Sequence, residues 1–189
     1  MIVLIGMPGC GKSTVGRQLA RRLGLPFHDS DHLIEQRLGC SIRAFFDREG
    51  EDRFRDLEEA TLDELTHQAE PAVLSTGGGA VLRAVNRAHL HDRGQVVYLR
   101  SSPDEIYRRL RHDTTRPLLQ VSNPLQRLRD LYAQRDPLYR ETAHYVIETG
   151  RPSVATLVNM IVMQLELAGV TAPSAATASV APATGPSSA

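Results

Sequence analysis

The chain has 189 residues, a length typical of one compact domain. Its 22 basic and 22 acidic residues balance, which argues against a nucleic-acid-binding protein, and its apolar runs are too short to cross a membrane. With two cysteines and no zinc-type spacing, the sequence indicates neither a disulfide framework nor a structural metal. We therefore expect a cytoplasmic monomer whose partners are small molecules, with no nucleic acid and no membrane among them.

Short apolar strands alternate with helices along the predicted chain. Strands are indicated by β-branched and leucine-rich runs, and helices by apolar residues at three- and four-residue spacing. In chain order we predict a strand at 2–5, a helix at 12–23, a strand at 26–28, helical sequence at 33–38 and 41–68, a strand at 72–75, a helix at 81–93, a strand at 96–99, a helix at 103–111, a strand at 145–147 and a helix at 154–165. The segment 135–139 is expected to follow a further helix.

This alternation is typical of an α/β fold, in which a parallel sheet carries helices on both faces. Ligands of such sheets bind beyond the carboxyl ends of the strands, and the glycine-rich segments 6–11 and 77–79 both follow predicted strands. Residues 169–189 are almost all small or polar, which predicts a disordered tail after a single domain at 1–168.

The most specific motif is the phosphate loop, residues 6–13, whose sequence GMPGCGKS fits G-x-x-x-x-G-K-[ST] between a strand and a helix. Its backbone N–H groups are expected to surround the phosphates of ATP. Lys12 would reach the β and γ phosphates, and Ser13 would offer its hydroxyl to Mg²⁺. Lys12 is also the single lysine among the 22 basic residues, since the other 21 are arginine.

Two acidic residues follow the second predicted strand. Asp29 and Asp31 flank one serine at the start of a helix, so their carboxylates can diverge, one toward a metal ion and one toward an acceptor substrate. Helix capping is the alternative role for either residue. A motor-type nucleotide hydrolase would place an aspartate after a later strand, where this chain has Thr76 and Arg100, so that class is disfavoured.

Further motifs predict a site for an anionic acceptor. Arg55 and Glu58 share a helix face, although a surface ion pair worth about 0 to 1 kcal/mol is the alternative. The three glycines at 77–79 indicate close approach of the backbone to a ligand. Arginine binds carboxylate and phosphate groups through its planar fork, which makes candidates of Arg135 and of Arg116, the latter in a predicted mobile lid at about 112–124.

Taken in order, these motifs resemble the shikimate kinase family over about residues 1–167. They are the phosphate loop, Asp29-Ser30-Asp31, Phe54-Arg55 with Glu58, Gly77-Gly78-Gly79, Arg116-Pro117-Leu118-Leu119 and Arg135-Asp136-Pro137-Leu138-Tyr139. The resemblance implies an adenylate-kinase-like P-loop fold with a five-stranded parallel sheet and helices on both faces. It also implies an enzyme of aromatic amino-acid (chorismate) biosynthesis that uses ATP and Mg²⁺ to convert shikimate to shikimate 3-phosphate.

The resemblance further assigns roles to single residues. The residues implied to bind shikimate are Asp31, Arg55, Gly77, Gly78, Gly79 and Arg135. Those implied to bind the nucleotide are Gly9, Cys10, Gly11, Lys12, Ser13, Thr14, Arg116 and Arg151. Magnesium would be bound by Ser13 directly and by Asp29 through water. The implied catalytic residues are Lys12, Asp31 and Arg116, with Asp31 either accepting the proton of the attacking hydroxyl or only orienting that hydroxyl.

Some alternatives stay open on the sequence. Either Arg109 or Arg111 could add a nucleotide contact. A kinase for gluconate or a nucleoside monophosphate, or a nucleotide-dependent switch without an acceptor, would share the phosphate loop. Nucleic-acid binding through the arginine-rich segment 100–135 is weakened by the charge balance and by the lack of interleaved aromatic residues.

Overall fold

A five-stranded parallel sheet forms the centre of the fold. The structure is a computed structural model that describes residues 1–111 and 121–170. Each of the four adjacent strand pairs is parallel, which confirms the predicted sheet. In the spatial order β2-β3-β1-β4-β5, the strands are β1 (Ile2–Ile5), β2 (Phe27–Asp29), β3 (Val73–Ser75), β4 (Gln95–Arg100) and β5 (Tyr145–Glu148).

Helices cover both faces of this sheet because side chains alternate along each strand. In β1, Val3 and Ile5 belong to one buried cluster and Ile2 and Leu4 to the other. The helices are α1 (Lys12–Leu23), α2 (Ser30–Leu38), α3 (Ile42–Glu49), α4 (Glu51–Thr66), α5 (Ala84–Arg93), α6 (Pro103–Leu110), α7 (Pro124–Thr142) and α8 (Val154–Leu167). The first cluster is completed by α4, α5, α6 and α7, and the second by α1 and α8.

Two predicted helical segments are divided in the structure. The helical sequence at 41–68 forms α3 and α4, which are separated at Gly50, where φ is 83°. The segment predicted as a helix at 81–93 begins with a separate 3₁₀ turn, Ala80–Leu82, before α5 starts at Ala84. The first break falls at a glycine, and the second falls at Arg83, whose backbone is extended.

The prediction that residues 135–139 follow a helix was wrong, because they lie within α7, with Pro137 in its interior. Proline has a helical φ and removes one N–H donor, so a helix held by other contacts can continue through it. Those contacts come from Asp136, which accepts hydrogen bonds from the Tyr98 hydroxyl at 2.8 Å and from Arg140 at 2.8 Å. The motif is therefore presented from a regular helix.

The described chain ends just after α8. Gly169, with φ of 71°, and Val170 donate to the carbonyls of Glu166 and Leu165 at 3.0 and 2.9 Å, so these two residues close the helix. The rest of the predicted tail and residues 112–120 of the predicted lid lie outside the described residues. Within 1–111 and 121–170, no helix has the length and apolar character that crossing a membrane requires.

Candidate active site

The phosphate loop leaves backbone N–H groups available at the start of α1. Gly9 and Gly11 have φ of 80° and 99°, a region in which a side chain would be strained. Gly11 precedes α1 without a side-chain cap, so the first N–H groups of the helix can donate to an anion. The loop thus has the backbone geometry that the motif predicts.

Lys12 is held inside the phosphate loop. Its ammonium donates to the carbonyls of Gly6 at 2.8 Å and Met7 at 3.0 Å, and the residue is 7% exposed. These bonds place a buried positive charge beside the amides of the same loop. The combination favours a phosphate group, because the cation and the helix N-terminus attract the same negative charge.

Ser13 and Asp29 form an oxygen-rich pair beside the loop. The Ser13 hydroxyl donates to Asp29 Oδ2 at 2.6 Å and lies 3.4 Å from the Ser75 hydroxyl. The other oxygen, Asp29 Oδ1, accepts from the N–H of His32 at 3.2 Å, so this aspartate also caps α2. Capping and a metal role are therefore compatible. Oxygen donors suit Mg²⁺, which keeps several waters and needs few protein ligands.

Two carboxylates, the partly buried Asp31 and the buried Glu58, lie on α2 and α4. Burial, followed by the charges of Glu58 and Asp29, raises the pKa of Asp31 from its ordinary 3.8 to about 6. Burial also raises the pKa of Glu58, although the charge of Arg55 opposes that shift. Among the described residues, neither Asp31 Oδ1 nor Glu58 Oε1 has a hydrogen-bond partner. Buried acceptors of this kind are suited to donor groups of a substrate.

Arg55 and Arg135 gather around Glu58. Arg55 donates to Glu58 at 2.6 Å, and because the two side chains are only 11% and 1% exposed, this is not a surface ion pair. Arg55 also bonds Glu51 at 3.0 Å and lies over the ring of Phe54 at 5.2 Å. The charge of Arg135 also opposes the rise in the pKa of Glu58, and the Nε of Arg135 is buried without a partner among the described residues.

The glycine loop, residues 77–79, lies against three other parts of the chain, because its backbone is in close contact with Asp31, Pro8 and Arg55. A Cβ on the first glycine would lie 2.5 Å from Asp31 Oδ1, and one on the second would lie 2.6 Å from the ring of Pro8. A Cβ on the third would overlap the guanidinium of Arg55. The first glycine also donates its N–H to the buried hydroxyl of Ser30 at 3.2 Å. The close approach predicted here therefore involves neighbouring protein groups.

Many of the predicted site residues line one cavity of about 400 Å³. It is lined by eight residues that the sequence nominates, and also by Pro8, Thr76 and Leu110, to which it assigns no role. The contact of Pro8 with the glycine loop could not be predicted from the sequence, because Gly78 lies 70 residues later in the chain. The eight nominated residues are Gly9, Gly11, Lys12, Ser13, Thr14, Asp29, Asp31 and Gly78.

A second cavity of about 340 Å³ lies against the phosphate loop and the start of α8. Cys10 lines it, and so does Arg109, which donates to the carbonyls of Thr149 at 2.6 Å and Cys10 at 3.4 Å. The structure therefore places Arg109 beside the loop. Arg151 is exposed, whereas its neighbours Pro152 and Ser153 line the cavity. Arg116 lies outside the described residues.

Comparison with known proteins decides the family. The sequence model of the shikimate kinase family matches residues 8–166. The chain belongs to the shikimate kinase family. A shikimate kinase of Paracidovorax citrulli is 66% identical over 175 residues, covering 92% of this chain and 96% of the relative. One of Ralstonia nicotianae is 58% identical over 175 residues, covering 93% of this chain and 92% of that protein.

Solved structures of the shikimate kinase family agree with this fold. The shikimate kinase from Acinetobacter baumannii in complex with shikimate is 50% identical, with a TM-score of 0.83, covering 89% of this chain and 93% of that one. A gluconokinase from Sinorhizobium meliloti 1021 has a TM-score of 0.55 at 21% identity, covering 88% of this chain and 91% of that one, and supports the fold alone. The predicted P-loop kinase fold is confirmed, and the gluconate alternative is not favoured.

Replacing Asp31 by asparagine tests the electrostatics of the site. At pH 8 the buried carboxylate is charged beside Glu58, so Asp31→Asn should raise the free energy of unfolding by about 1 to 3 kcal/mol. Because the folded-state pKa of Asp31 is raised to about 6, the native protein recovers this cost by binding a proton, and the advantage of the variant should shrink as the pH falls below 6.

Urea unfolding at pH 8, 6 and 4.5 measures this difference. Asp52→Asn, at an exposed position of α4, is the matched control and should show little pH-dependent gain. An Asp31→Asn protein that is less stable than the native protein at pH 8 would contradict the proposed repulsion.

Proposed function

We propose that the protein transfers the γ-phosphoryl group of ATP to the 3-hydroxyl of shikimate, forming ADP and shikimate 3-phosphate. The observation that carries this proposal is that the phosphate loop and the partly buried Asp31 line one cavity. Arg55 and Arg135 flank Glu58 on the acceptor side. A nucleotide phosphate and an alcohol that bears a carboxylate can therefore meet there. Membership of the shikimate kinase family supports the same reaction.

The nucleotide side supplies alignment and positive charge. The N–H groups at the start of α1 hold the phosphates, and Lys12 exchanges its bonds to the loop carbonyls for bonds to phosphate oxygens. Phosphoryl transfer depends mainly on positioning and on stabilisation of the charge that moves to the leaving oxygen. Arg109, beside Cys10 and Thr149, is placed to contact the rest of the nucleotide.

Ser13 and Asp29 are the residues that would hold Mg²⁺, the first directly and the second through water. Their 2.6 Å contact and all-oxygen chemistry fit this ion. When bound, this ion would neutralise part of the negative charge of the phosphates. Asp29 is fixed for this task by its bond to the N–H of His32.

The acceptor side binds an acid and orients an alcohol. Arg55 and Arg135 would hold the shikimate carboxylate through charge-assisted hydrogen bonds, with Glu58 fixing Arg55. Asp31 has a buried oxygen without a partner among the described residues and accepts the hydrogen bond of the attacking hydroxyl. A pKa of about 6 leaves this carboxylate charged at neutral pH, so it can orient the hydroxyl or take its proton.

Other parts of the proposal rest on the sequence and the family resemblance. Arg116, which lies outside the described residues, would neutralise the transferring phosphoryl group, and the exposed Arg151 would contact adenine. A cytoplasmic location and a monomeric state are likewise predictions. Light scattering of the purified protein measures the second of these.

The reaction is tested by measuring ADP formation with and without shikimate. We expect ADP release to require shikimate, and Lys12→Met to remove most of kcat, because the lost interaction strengthens as charge moves to the leaving oxygen. Gluconate and AMP serve as control acceptors. ADP formation that ignores shikimate, or that proceeds equally with a control acceptor, would overturn the assignment, and near-normal turnover of Lys12→Met would overturn the role of the lysine.

Arg135→Ala tests the acceptor side separately. We expect the KM for shikimate to rise about tenfold or more with kcat little changed, because a charge-assisted bond of about 1.5 to 3 kcal/mol is lost from ground and transition states alike. Arg129→Ala is the matched control, since Arg129 lies on the same helix and its side chain is 51% exposed. If the KM for ATP rises instead, Arg135 belongs to the nucleotide site.

A further inference from the structure

The last residue of the 135–139 motif is a buried tyrosine that the proposed reaction does not use. Tyr139 is 0% exposed, and its hydroxyl donates to the carbonyl of Gly78 at 2.5 Å. Gly78 belongs to the glycine loop and lines the cavity of the phosphate loop. This bond connects α7 to the wall of the cavity across 61 residues of sequence.

The direction of this hydrogen bond is set by the chemistry of its partners. A carbonyl only accepts, so the tyrosine hydroxyl must be the donor and must keep its proton. Burial raises the pKa of Tyr139, and the nearby charge of Arg135 only partly opposes this shift. The donor is therefore present throughout the pH range in which an enzyme works. Loss of the hydroxyl would leave the Gly78 carbonyl without this partner.

Tyr139 and Arg135 lie four residues apart on α7 and so share one face of the helix. The positive charge of Arg135 opposes the rise in the pKa of Tyr139, which indicates that the guanidinium lies near the hydroxyl. The next residue of the glycine loop after Gly78 packs directly on Arg55. The Tyr139 bond therefore links α7, which carries Arg135, to the loop that packs on Arg55.

Other contacts hold the tyrosine itself in place. Its ring packs on the ring of Tyr98, with centroids 4.9 Å apart and planes inclined by 31°. The hydroxyl of Tyr98 donates to Asp136 at 2.8 Å, which fixes α7 against β4. Because the ring is held by packing and α7 by this bond, the Tyr139 hydroxyl can set the position of the loop.

We infer that Tyr139 is a positioning residue for the acceptor, which fixes the glycine loop relative to Arg135 so that both arginines meet one carboxylate. This inference rests on the proposed function. It predicts a larger effect on the acceptor than on the nucleotide, because the first N–H groups of α1, and not the glycine loop, are the proposed phosphate donors.

Tyr139→Phe tests the inference, since it removes the hydroxyl and keeps the ring that packs on Tyr98. We expect the KM for shikimate to rise about 5- to 20-fold, while the KM for ATP and kcat change by less than about threefold. Tyr145→Phe is the control, because it also removes a tyrosine hydroxyl, one bonded to Gln95 at 3.1 Å away from the cavity. All kinetics are measured well below the melting midpoints of the three proteins.

Hydrogen exchange of the peptide that contains residues 76–82 provides a second readout that does not depend on turnover. Exchange in this segment should be faster in Tyr139→Phe than in the native protein and unchanged in Tyr145→Phe. An unchanged KM for shikimate, an equal rise of both KM values, or unchanged exchange would overturn the positioning role. A native protein that does not phosphorylate shikimate would instead overturn the proposed function, while the exchange result would still test the bond to the loop.

Discussion

The site depends on a stretch of backbone that carries no side chains. At residues 77–79, the carboxylate of Asp31, the ring of Pro8 and the guanidinium of Arg55 come so close to the main chain that a Cβ would displace each of them. These three groups come from α2, the phosphate loop and α4. The glycine loop thus brings the nucleotide side and the acceptor side of the cavity within reach of each other.

The order of the strands explains why these segments meet. β3 lies between β1 and β2, and Ser75 at its end pairs with Leu4 on one side and Asp29 on the other. The phosphate loop follows β1, the start of α2 follows β2, and the glycine loop follows β3. In a parallel sheet all of them emerge at one edge, which is the usual place for a ligand. The strand order brings the three segments close together, and the glycines allow their backbone and side chains to make contact.

The two ends of the cavity differ in charge. At the nucleotide end, Lys12 and the start of α1 present positive charge to phosphate. At the proposed acceptor end, Asp31 is partly buried and Glu58 is buried, and burial raises the pKa of both carboxyl groups. Arg55 offsets part of this rise through its bond to Glu58, and Arg135 adds a second positive charge. Carboxylates with raised pKa values therefore lie where the proposed alcohol would be oriented, and perturbed pKa values are common in functional sites.

The sequence predicted those parts of the site that are local in the chain. The positions of Lys12 and Ser13 at the start of α1 follow from a motif of eight residues and from the strand–helix context around it, whereas the bond of Ser13 to Asp29 depends on the fold. The burial of Glu58 could not be predicted, because a three-residue spacing from Arg55 is the same for a surface pair and a buried one. Tyr139 was visible only as a letter of the motif, since its partner lies 61 residues away. The continuation of α7 through Pro137 was also not predicted, because proline usually ends a helix.

The most direct test of the central claim is the affinity of Gly79→Ala for each substrate, measured by calorimetry. The added Cβ should displace the guanidinium of Arg55, a flexible group that can move without unfolding the protein. We predict that shikimate binds about tenfold or more weakly, whereas the affinity for ADP changes by less than about twofold. Unchanged binding of shikimate, or an equal loss of affinity for ADP, would contradict the claim that the bare backbone of this loop shapes the acceptor side.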